Sequence, residues 1–266
     1  MTANPILGLG RLHHVPTESG RFRVLDAAMA AGFTTFDMAP SYGEGMVEAT
    51  VGRFLRSKAE RPRIFSKFGI PFAPVGELPA PLFFFLRGLR KLTRAPIGAN
   101  YAVRDFSAQS LRSSVAASLR RLRVGCIDCL FIHEPLAKPT SGDLAETIAG
   151  LERLREEGLI RDYGLTAGVH HVDELLATGG GFSPAVKFMV PARTGFEVAL
   201  HRPHAPNEIF VYDLVTHLKA CRGIMPTAAD VAAYCRAALP TATPIVASRH
   251  VDRIAAYGRA FAISGP

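Results

Sequence analysis

Four polar residues in the first half of this chain are of types that can move a proton: Asp37, Tyr42, Lys67 and His133. Three of them end apolar runs, which read Phe-Thr-Thr-Phe-Asp, Arg-Ile-Phe-Ser-Lys and Cys-Leu-Phe-Ile-His. An Asp or a Lys beside a core needs a partner, because an isolated buried ion costs several kcal/mol. An ammonium held near a phenol stabilises the phenolate and lowers the phenol's ordinary pKa of about 10. A structural Asp–Lys pair beside an unrelated Tyr and His is the alternative interpretation.

The elements that must position these residues are short strands. Eight β-rich runs alternate with amphipathic segments, near Ile6–Leu9, Phe33–Met38, Arg63–Phe68, Ile127–His133, Asp162–Thr166, Val186–Val190, Ile209–Leu214 and Pro244–Ser248. The alternation predicts parallel strands with right-handed crossovers. Eight repeats within about 250 residues favour a closed (β/α)8 TIM barrel, in one domain over 1–266, over an open doubly wound sheet. Catalytic groups of such barrels lie at the carboxyl ends of the strands, where these four residues fall.

Two connections depart from this rhythm. The segment 191–207, between strands six and seven, is too short and too rich in Pro and His for a full helix. The segment 70–106, after strand three, is far longer than an ordinary connection. Within it a helix is predicted over 82–94, with an apolar stripe (Leu82, Phe85, Leu86, Leu89) beside a basic one (Arg87, Arg90, Lys91, Arg94). We interpret 70–106 as a lid that packs its Phe residues over the barrel rim, and a docking surface for an anionic partner as the alternative.

Positive charge is concentrated in one part of the chain. The net charge is +8, and between Leu86 and Val124 nine basic residues face Asp105 alone, an excess equal to that whole charge. A local excess suits an anionic partner better than general solubility does. The chain has no Trp and no zinc-finger spacing, so we expect no nucleic-acid partner but a phosphate-bearing cofactor or substrate.

Other classes of protein are excluded by what the chain lacks. The His pairs at 13–14, 170–171 and 201–204 have no carboxylate at a recognised ligand offset, so we expect no metal site. No apolar run approaches the ~18 residues of a membrane span. The N-terminus has no basic start before an apolar core, so we expect no signal peptide and a cytoplasmic protein.

The motifs resemble those of the aldo-keto reductases. They read Gly-Leu-Gly at 8–10, Gly-Phe-Thr-Thr-Phe-Asp-Met-Ala-Pro-Ser-Tyr-Gly-Glu-Gly at 32–45, Ser-Lys-Phe-Gly at 66–69, Ser-Leu-Arg-Arg-Leu at 118–122 and Ile-Asp-Cys-Leu-Phe-Ile-His-Glu-Pro at 127–135. Asp105-Phe106-Ser107 favours the aldose-1-dehydrogenase-like branch. The resemblance implies a catalytic tetrad of Asp37, Tyr42, Lys67 and His133 that interconverts a carbonyl or sugar hemiacetal and an alcohol. Tyr42 would be the acid or base, and His133 a hydrogen-bond donor to the substrate oxygen.

The resemblance also implies a nicotinamide cofactor across the barrel mouth, since no side chain can donate hydride. It assigns the cofactor contacts to Thr166, Tyr212, Ser248, Arg249 and Arg253. The two arginines favour NADPH, with NADH as the alternative. Gly8-Leu9-Gly10 lacks the further glycine of a dinucleotide fingerprint, because position 13 is His.

Three residues depart from the family pattern in the cofactor region: Ala167, Met189 and Ala247. The family commonly has Asn, Gln and Lys there. An alternative function is therefore a catalytically weak barrel of this family that binds the cofactor or regulates another protein.

Overall fold

Eight parallel strands close into a barrel in the order β1 to β8, with β8 pairing back onto β1. The computed structural model describes residues 4–93, 104–134, 141–166, 187–192 and 209–263, without the side chains of 80, 87, 90–93 and 141–144. The strands are β1 (Ile6–Gly8), β2 (Thr35–Asp37), β3 (Arg63–Phe68), β4 (Cys129–His133), β5 (Tyr163–Thr166), β6 (Lys187–Pro191), β7 (Ile209–Tyr212) and β8 (Thr243–Ala247). The predicted (β/α)8 barrel is confirmed, and every predicted strand is present. The observed strand ends lie no more than two residues from the predicted ones.

Helices surround the strands in the described ranges. They are α1 (Glu18–Ala30), α2 (Met46–Leu55), α3 (Ala80–Thr93), α4 (Ala108–Leu122), α5 (Ser141–Glu156), α6 (Leu214–Arg222), α7 (Ala228–Ala238) and α8 (Val251–Phe261). Several begin at side-chain caps that satisfy a free backbone N–H; Thr17 does this for α1, Ser107 for α4 and Thr227 for α7. None of these helices combines the length and the apolar character that a bilayer crossing requires.

The core has two layers because side chains alternate along each strand. One apolar cluster fills the barrel interior and consists of Ile6, Phe65, Cys129, Phe131, Met189, Phe210 and Ile245. Strand residues of the opposite parity, such as Ile64 and Ile132, belong to the larger cluster under the helices. Lys67 and His133 have the parity of the interior cluster. They therefore cap the barrel filling at its carboxyl end.

The insertion after β3 contains the predicted helix, as α3, and the apolar side chains of this helix differ in exposure. Phe83 is buried, whereas Leu82, Phe85 and Leu89 are 43%, 65% and 41% exposed. Most of the predicted apolar stripe is therefore exposed, and the packing of the Phe residues over the barrel rim stays a prediction. The basic side chains of the helix lie outside the described residues, as does most of 191–207. A lid role for 70–106 stays a prediction.

Candidate active site

Neighbouring strands bring Lys67 and Asp37 together. The Lys67 ammonium donates to Asp37 Oδ1, and it also donates to the backbone oxygen of Met38 at 2.9 Å. Both side chains are almost fully buried, at 3% and 8% exposure. Burial raises the pKa of the Asp37 carboxyl, and the Lys67 ammonium opposes that rise. The rim of the barrel therefore holds a sequestered cation that is paired and aimed by its hydrogen bonds.

A tight turn after β2 carries Tyr42 to this cation. The Tyr42 N–H donates to Ala39 O at 3.0 Å, and the Gly45 N–H donates to Pro40 O at 2.8 Å. Gly43, Glu44 and Gly45 have φ of 61°, 51° and 94°. This left-handed run is inexpensive because two of its three residues are glycine.

The turn places the phenol ring between two of the other predicted residues. The ammonium of Lys67 lies 5.4 Å from the centre of the Tyr42 ring, within range of a cation–π contact. The His133 ring meets the Tyr42 ring edge-on, with 6.2 Å between their centres. All four residues predicted from their spacing are thus brought to one place on the rim.

His133, at the end of β4, is buried and neutral at neutral pH. Burial lowers its pKa well below the ordinary value, and the positive charges of Lys67 and Arg104 lower it further. A neutral imidazole keeps one N–H, which can donate to an oxygen bound beside it.

Arg104 and Glu134 also belong to the site, although the sequence did not indicate it. Arg104 Nε donates to Glu134 O at 2.9 Å, and its Nη2 lies 3.1 Å from Glu134 Oε2. The Arg104 side chain is only 7% exposed. Glu134 directly follows His133 and has a left-handed φ of 49°, so Arg104 stabilises an unfavourable turn next to a site residue. No motif or spacing links these two residues in the sequence. Arg104 is there only one of the nine basic residues between Leu86 and Val124.

Thr166 and Tyr212 form a second wall of the rim, at the ends of β5 and β7. Their side chains are hydrogen-bonded to each other. The charges of Glu134, Lys67 and Tyr42 also act on the Tyr212 phenol. Burial, with a smaller contribution from Glu134, raises the pKa of Tyr212 to about 12, so this phenol stays protonated. A flat, neutral ring at the rim fits the stacking surface expected for a nicotinamide.

The three predicted phosphate contacts follow β8, at the same end of the barrel. Ser248 Oγ accepts the His250 N–H at 3.0 Å, so it already serves the turn before α8. Arg253 donates to Tyr257 Oη at 3.2 Å and to Pro226 O at 3.0 Å. Arg249 is exposed. Two of the three residues, Ser248 and Arg253, thus already have hydrogen-bond partners in the chain.

Of the three residues that depart from the family pattern, two lie in the described part of the chain. Met189 is buried inside the barrel, in register with Thr166 on β5, so it contributes packing where an amide was expected. Ala247 ends β8 and carries no charge. Ala167 lies outside the described residues.

The fold and the rim together define a (β/α)8 barrel with an acid–base site at the carboxyl ends of its strands. Residues 6–187 match the family model described as "Aldo/keto reductase family". The chain belongs to the aldo-keto reductase family, as its motifs indicated.

Curated relatives are similar over part of their length. The chain is 30% identical to a D-threo-aldose 1-dehydrogenase of Pseudomonas sp over 215 residues, 71% of this chain and 62% of that protein. It is 32% identical to an NADH-specific methylglyoxal reductase of Escherichia coli over 154 residues, 57% of this chain and 43% of that protein. The matches thus span less than two thirds of either relative.

Solved structures share the fold over nearly the whole chain. An aldo-keto reductase from Bacillus halodurans in its holo form has a TM-score of 0.74 at 22% identity, covering 97% of this chain and 86% of that one. An aldo-keto reductase from Klebsiella pneumoniae in complex with NADPH has a TM-score of 0.69 at 19% identity, covering 98% and 86%.

Proposed function

We propose that this chain interconverts a carbonyl and an alcohol by NAD(P)(H)-dependent hydride transfer, with Tyr42 as the general acid or base. The observation that carries the proposal is the buried Lys67 ammonium, paired with Asp37 and 5.4 Å from the Tyr42 ring centre. A cation in that position favours the phenolate that proton donation leaves behind. Family membership supplies independent support for this class of reaction.

The proton chemistry follows from the residues on the rim. A bound nicotinamide would supply hydride to the carbonyl carbon, which breaks the carbonyl π bond and leaves charge on oxygen. Tyr42 gives its proton to that oxygen, and Lys67 stabilises the resulting phenolate. His133, neutral and buried, donates a hydrogen bond to the same oxygen and orients it. In the oxidative direction Tyr42 removes the hydroxyl proton.

Cofactor contacts are proposed for the second wall and for the segment after β8. Thr166 and Tyr212 would hold the nicotinamide, and Ser248, Arg249 and Arg253 the adenosine phosphate. The two arginines favour NADPH, and a relative named as NADH-specific keeps NADH as the alternative. For substrate we propose an aldehyde, a ketone or a sugar hemiacetal, because the relatives are named for an aldose and for methylglyoxal.

Replacing the proposed proton donor tests the mechanism directly. Tyr42→Phe should lower carbonyl reduction by about a hundredfold to ten-thousandfold, the usual contribution of a positioned acid. NADPH binding, followed by cofactor fluorescence, should persist. Tyr163→Phe is the matched control, because it removes a phenol from the opposite end of the barrel. Retention of most activity in Tyr42→Phe would refute the assignment.

A catalytically weak, cofactor-binding barrel is the second candidate. The observation that favours weak catalysis is a reduced set of cofactor contacts: Met189 packs in the barrel interior in place of an amide, and the Arg253 guanidinium is already hydrogen-bonded to Tyr257 and Pro226. A titration with both dinucleotides, followed by turnover assays on aldehydes, ketones and sugars, separates the candidates. Binding without turnover supports the second, and turnover supports the first.

Two expectations from the sequence gain no support. The basic side chains at 82–94 that would contact an anionic partner are outside the described residues. A cytoplasmic location likewise stays a prediction.

A further inference from the structure

Behind the rim, the carboxylate of Glu48 is fully buried and accepts hydrogen bonds from two elements. Its Oε1 accepts from Ser66 Oγ on β3 at 2.7 Å, and its Oε2 accepts from Ser118 Oγ on α4 at 3.2 Å. Arg121 Nε, also on α4, donates to Oε2 at 2.8 Å. Glu48 itself is 0% exposed and lies in the first turn of α2. None of these residues is among those assigned to catalysis above.

The contacts of Glu48 lie next to Tyr42 and Lys67, the two residues whose separation matters most for proton transfer. Ser66 directly precedes Lys67, and neighbouring strand residues face opposite sides. Ser66 therefore points to the helices while Lys67 points to the rim. The helix of Glu48 begins where the Tyr42 turn ends, and the Val47 N–H donates to Tyr42 O at 3.4 Å. One carboxylate thus joins the segment that carries the phenol to the strand that carries the ammonium.

Arg121 extends the connection to the insertion. Its side chain is 7% exposed, and its Nη1 lies 3.2 Å from Glu77 Oε1. The Gly76 N–H in turn donates to Glu44 O, in the Tyr42 turn, at 2.9 Å. Helices α2 and α4 approach closely enough for these bonds because position 52 is glycine, where a Cβ would lie 2.1 Å from Arg121 O.

A buried ion pair of this kind is weak support for stability, since desolvation offsets most of its attraction. Such a network instead restricts neighbouring groups to one arrangement when every member is hydrogen-bonded. Here the carboxylate receives donors from β3 and α4, so sliding of α2 against either element breaks a charge-assisted bond.

We propose that Glu48 is a positioning residue that, with Arg121, holds Tyr42 at its working distance from Lys67. Its catalytic consequence rests on the proposed function. The geometric part does not, because the distance between phenol and ammonium can be probed without turnover.

The experiment compares two variants that loosen the network with one matched control. Glu48→Gln removes the charge, and Ser66→Ala removes only the bond to β3. The control is Asp128→Asn, which replaces a carboxylate that is 4% exposed and accepts the Ile64 N–H at 2.8 Å at the amino end of the barrel. All three are made in the full chain, and circular dichroism checks that they fold.

The readout is the titration of the Tyr42 phenol, followed by NMR of isotope-labelled tyrosine and assigned with Tyr42→Phe. The titratable groups near Tyr42 stay unchanged in these variants: Lys67 with its partner Asp37, His133 and Tyr212. In Glu48→Gln the Tyr42 midpoint should rise by about one pH unit, because a cation at greater distance stabilises phenolate less. Ser66→Ala should show a smaller rise, and Asp128→Asn none. If turnover is present, kcat in Glu48→Gln should fall about tenfold at neutral pH with little change in KM.

Each outcome decides the proposal. An unchanged Tyr42 midpoint in folded Glu48→Gln and Ser66→Ala overturns it, as does an equal rise in Asp128→Asn. If Glu48→Gln does not fold, Ser66→Ala alone decides. If the wild type reduces no carbonyl, the proposed function fails, while the phenol titration still tests the role of Glu48.

Discussion

The two ends of the barrel each hold a buried lysine beside an aspartate, and the surroundings of the two pairs differ. At the carboxyl end Lys67 and Asp37 are 3% and 8% exposed. At the amino end Lys187 Nζ lies 2.8 Å from Asp162 Oδ2, but the side chain of that aspartate is 35% exposed. Water screens the second pair and leaves the first largely unscreened. The same two residue types thus make a strong local field at one end and an ordinary structural contact at the other.

The same contrast holds for two tyrosines. Tyr42 lies beside the ammonium of Lys67, whereas the Tyr163 hydroxyl donates to Glu152 at 2.6 Å. Burial and the Glu152 carboxylate raise the pKa of Tyr163. A phenol next to an anion resists ionisation, and one next to a cation accepts it. The charge beside each ring, rather than the residue type, separates a candidate acid–base group from a packing residue.

The largest effect is expected from the lysine at the carboxyl end. Lys67→Met should reduce turnover about a thousandfold, because the phenolate of Tyr42 loses its stabilising charge. It should also lower the free energy of unfolding by about 3–5 kcal/mol, since Asp37 is left unpaired. Burial raises the pKa of Asp37, and its folded form then holds a proton that the unfolded form releases, so part of the stability returns as the pH falls.

Steady-state kinetics and denaturant unfolding at two pH values measure both effects. The matched control is Lys187→Met, which removes the lysine of the amino-end pair. We expect the control to keep the activity of the wild type. A similar loss of turnover in both variants would show that the two ends do not differ.

A smaller effect is expected for His133→Gln. Turnover should fall about a hundredfold, the cost of removing one donor to the developing oxyanion. The pKa of His133 is lowered in the folded state, so below about pH 6.5 the unfolded chain binds a proton that the folded chain does not. Wild-type stability should therefore fall as the pH drops below that value, and the variant should lose less. Thermal melts at acidic and neutral pH measure this; equal slopes for the two proteins would contradict the buried neutral imidazole.

Asp128→Asn should affect stability and leave activity intact. Asp128 pairs with Arg61 at 3.0 Å and Arg161 at 3.4 Å, far from the rim. Its arginine partners are 34% and 71% exposed, so water takes over their solvation. We expect the free energy of unfolding to fall by about 1–3 kcal/mol, the cost of a lost charge-assisted hydrogen bond. A changed kcat would mean that the amino end contributes to catalysis.

The smallest effect is expected for Tyr163→Phe. The variant loses one hydrogen bond to Glu152, which should cost about 0.5–1.5 kcal/mol in urea unfolding. The pH profile of turnover should be that of the wild type. Any displacement of that profile would show that a phenol beside an anion also takes part in proton transfer.

Much of the fold and the tetrad could be predicted from the sequence because both depend on local patterns. Apolar runs of strand length ended at Asp37, Lys67 and His133, and the carboxyl ends of parallel strands meet at one rim. The helix near 82–94 was likewise predicted. Its exposed face was not, because an amphipathic pattern does not state which side a helix presents to the barrel.

Other features depended on contacts between residues far apart in the chain. Arg104 and Glu134 are thirty positions apart, and Glu48 lies 73 positions before Arg121. No local period links such residues, since their meeting is set by how helices pack on the closed sheet. The signal that could have found Glu48 is a carboxylate inside an otherwise apolar helix start, but its partners could not be named.

The sequence by itself determined which residue types end the strands, and hence which chemistry the rim can hold, because strand period and apolar length are local properties of the chain. Only the tertiary structure decided which lysine is screened by water and which tyrosine faces a cation. Those properties depend on burial and distance, which arise when strands and helices from the whole chain come together.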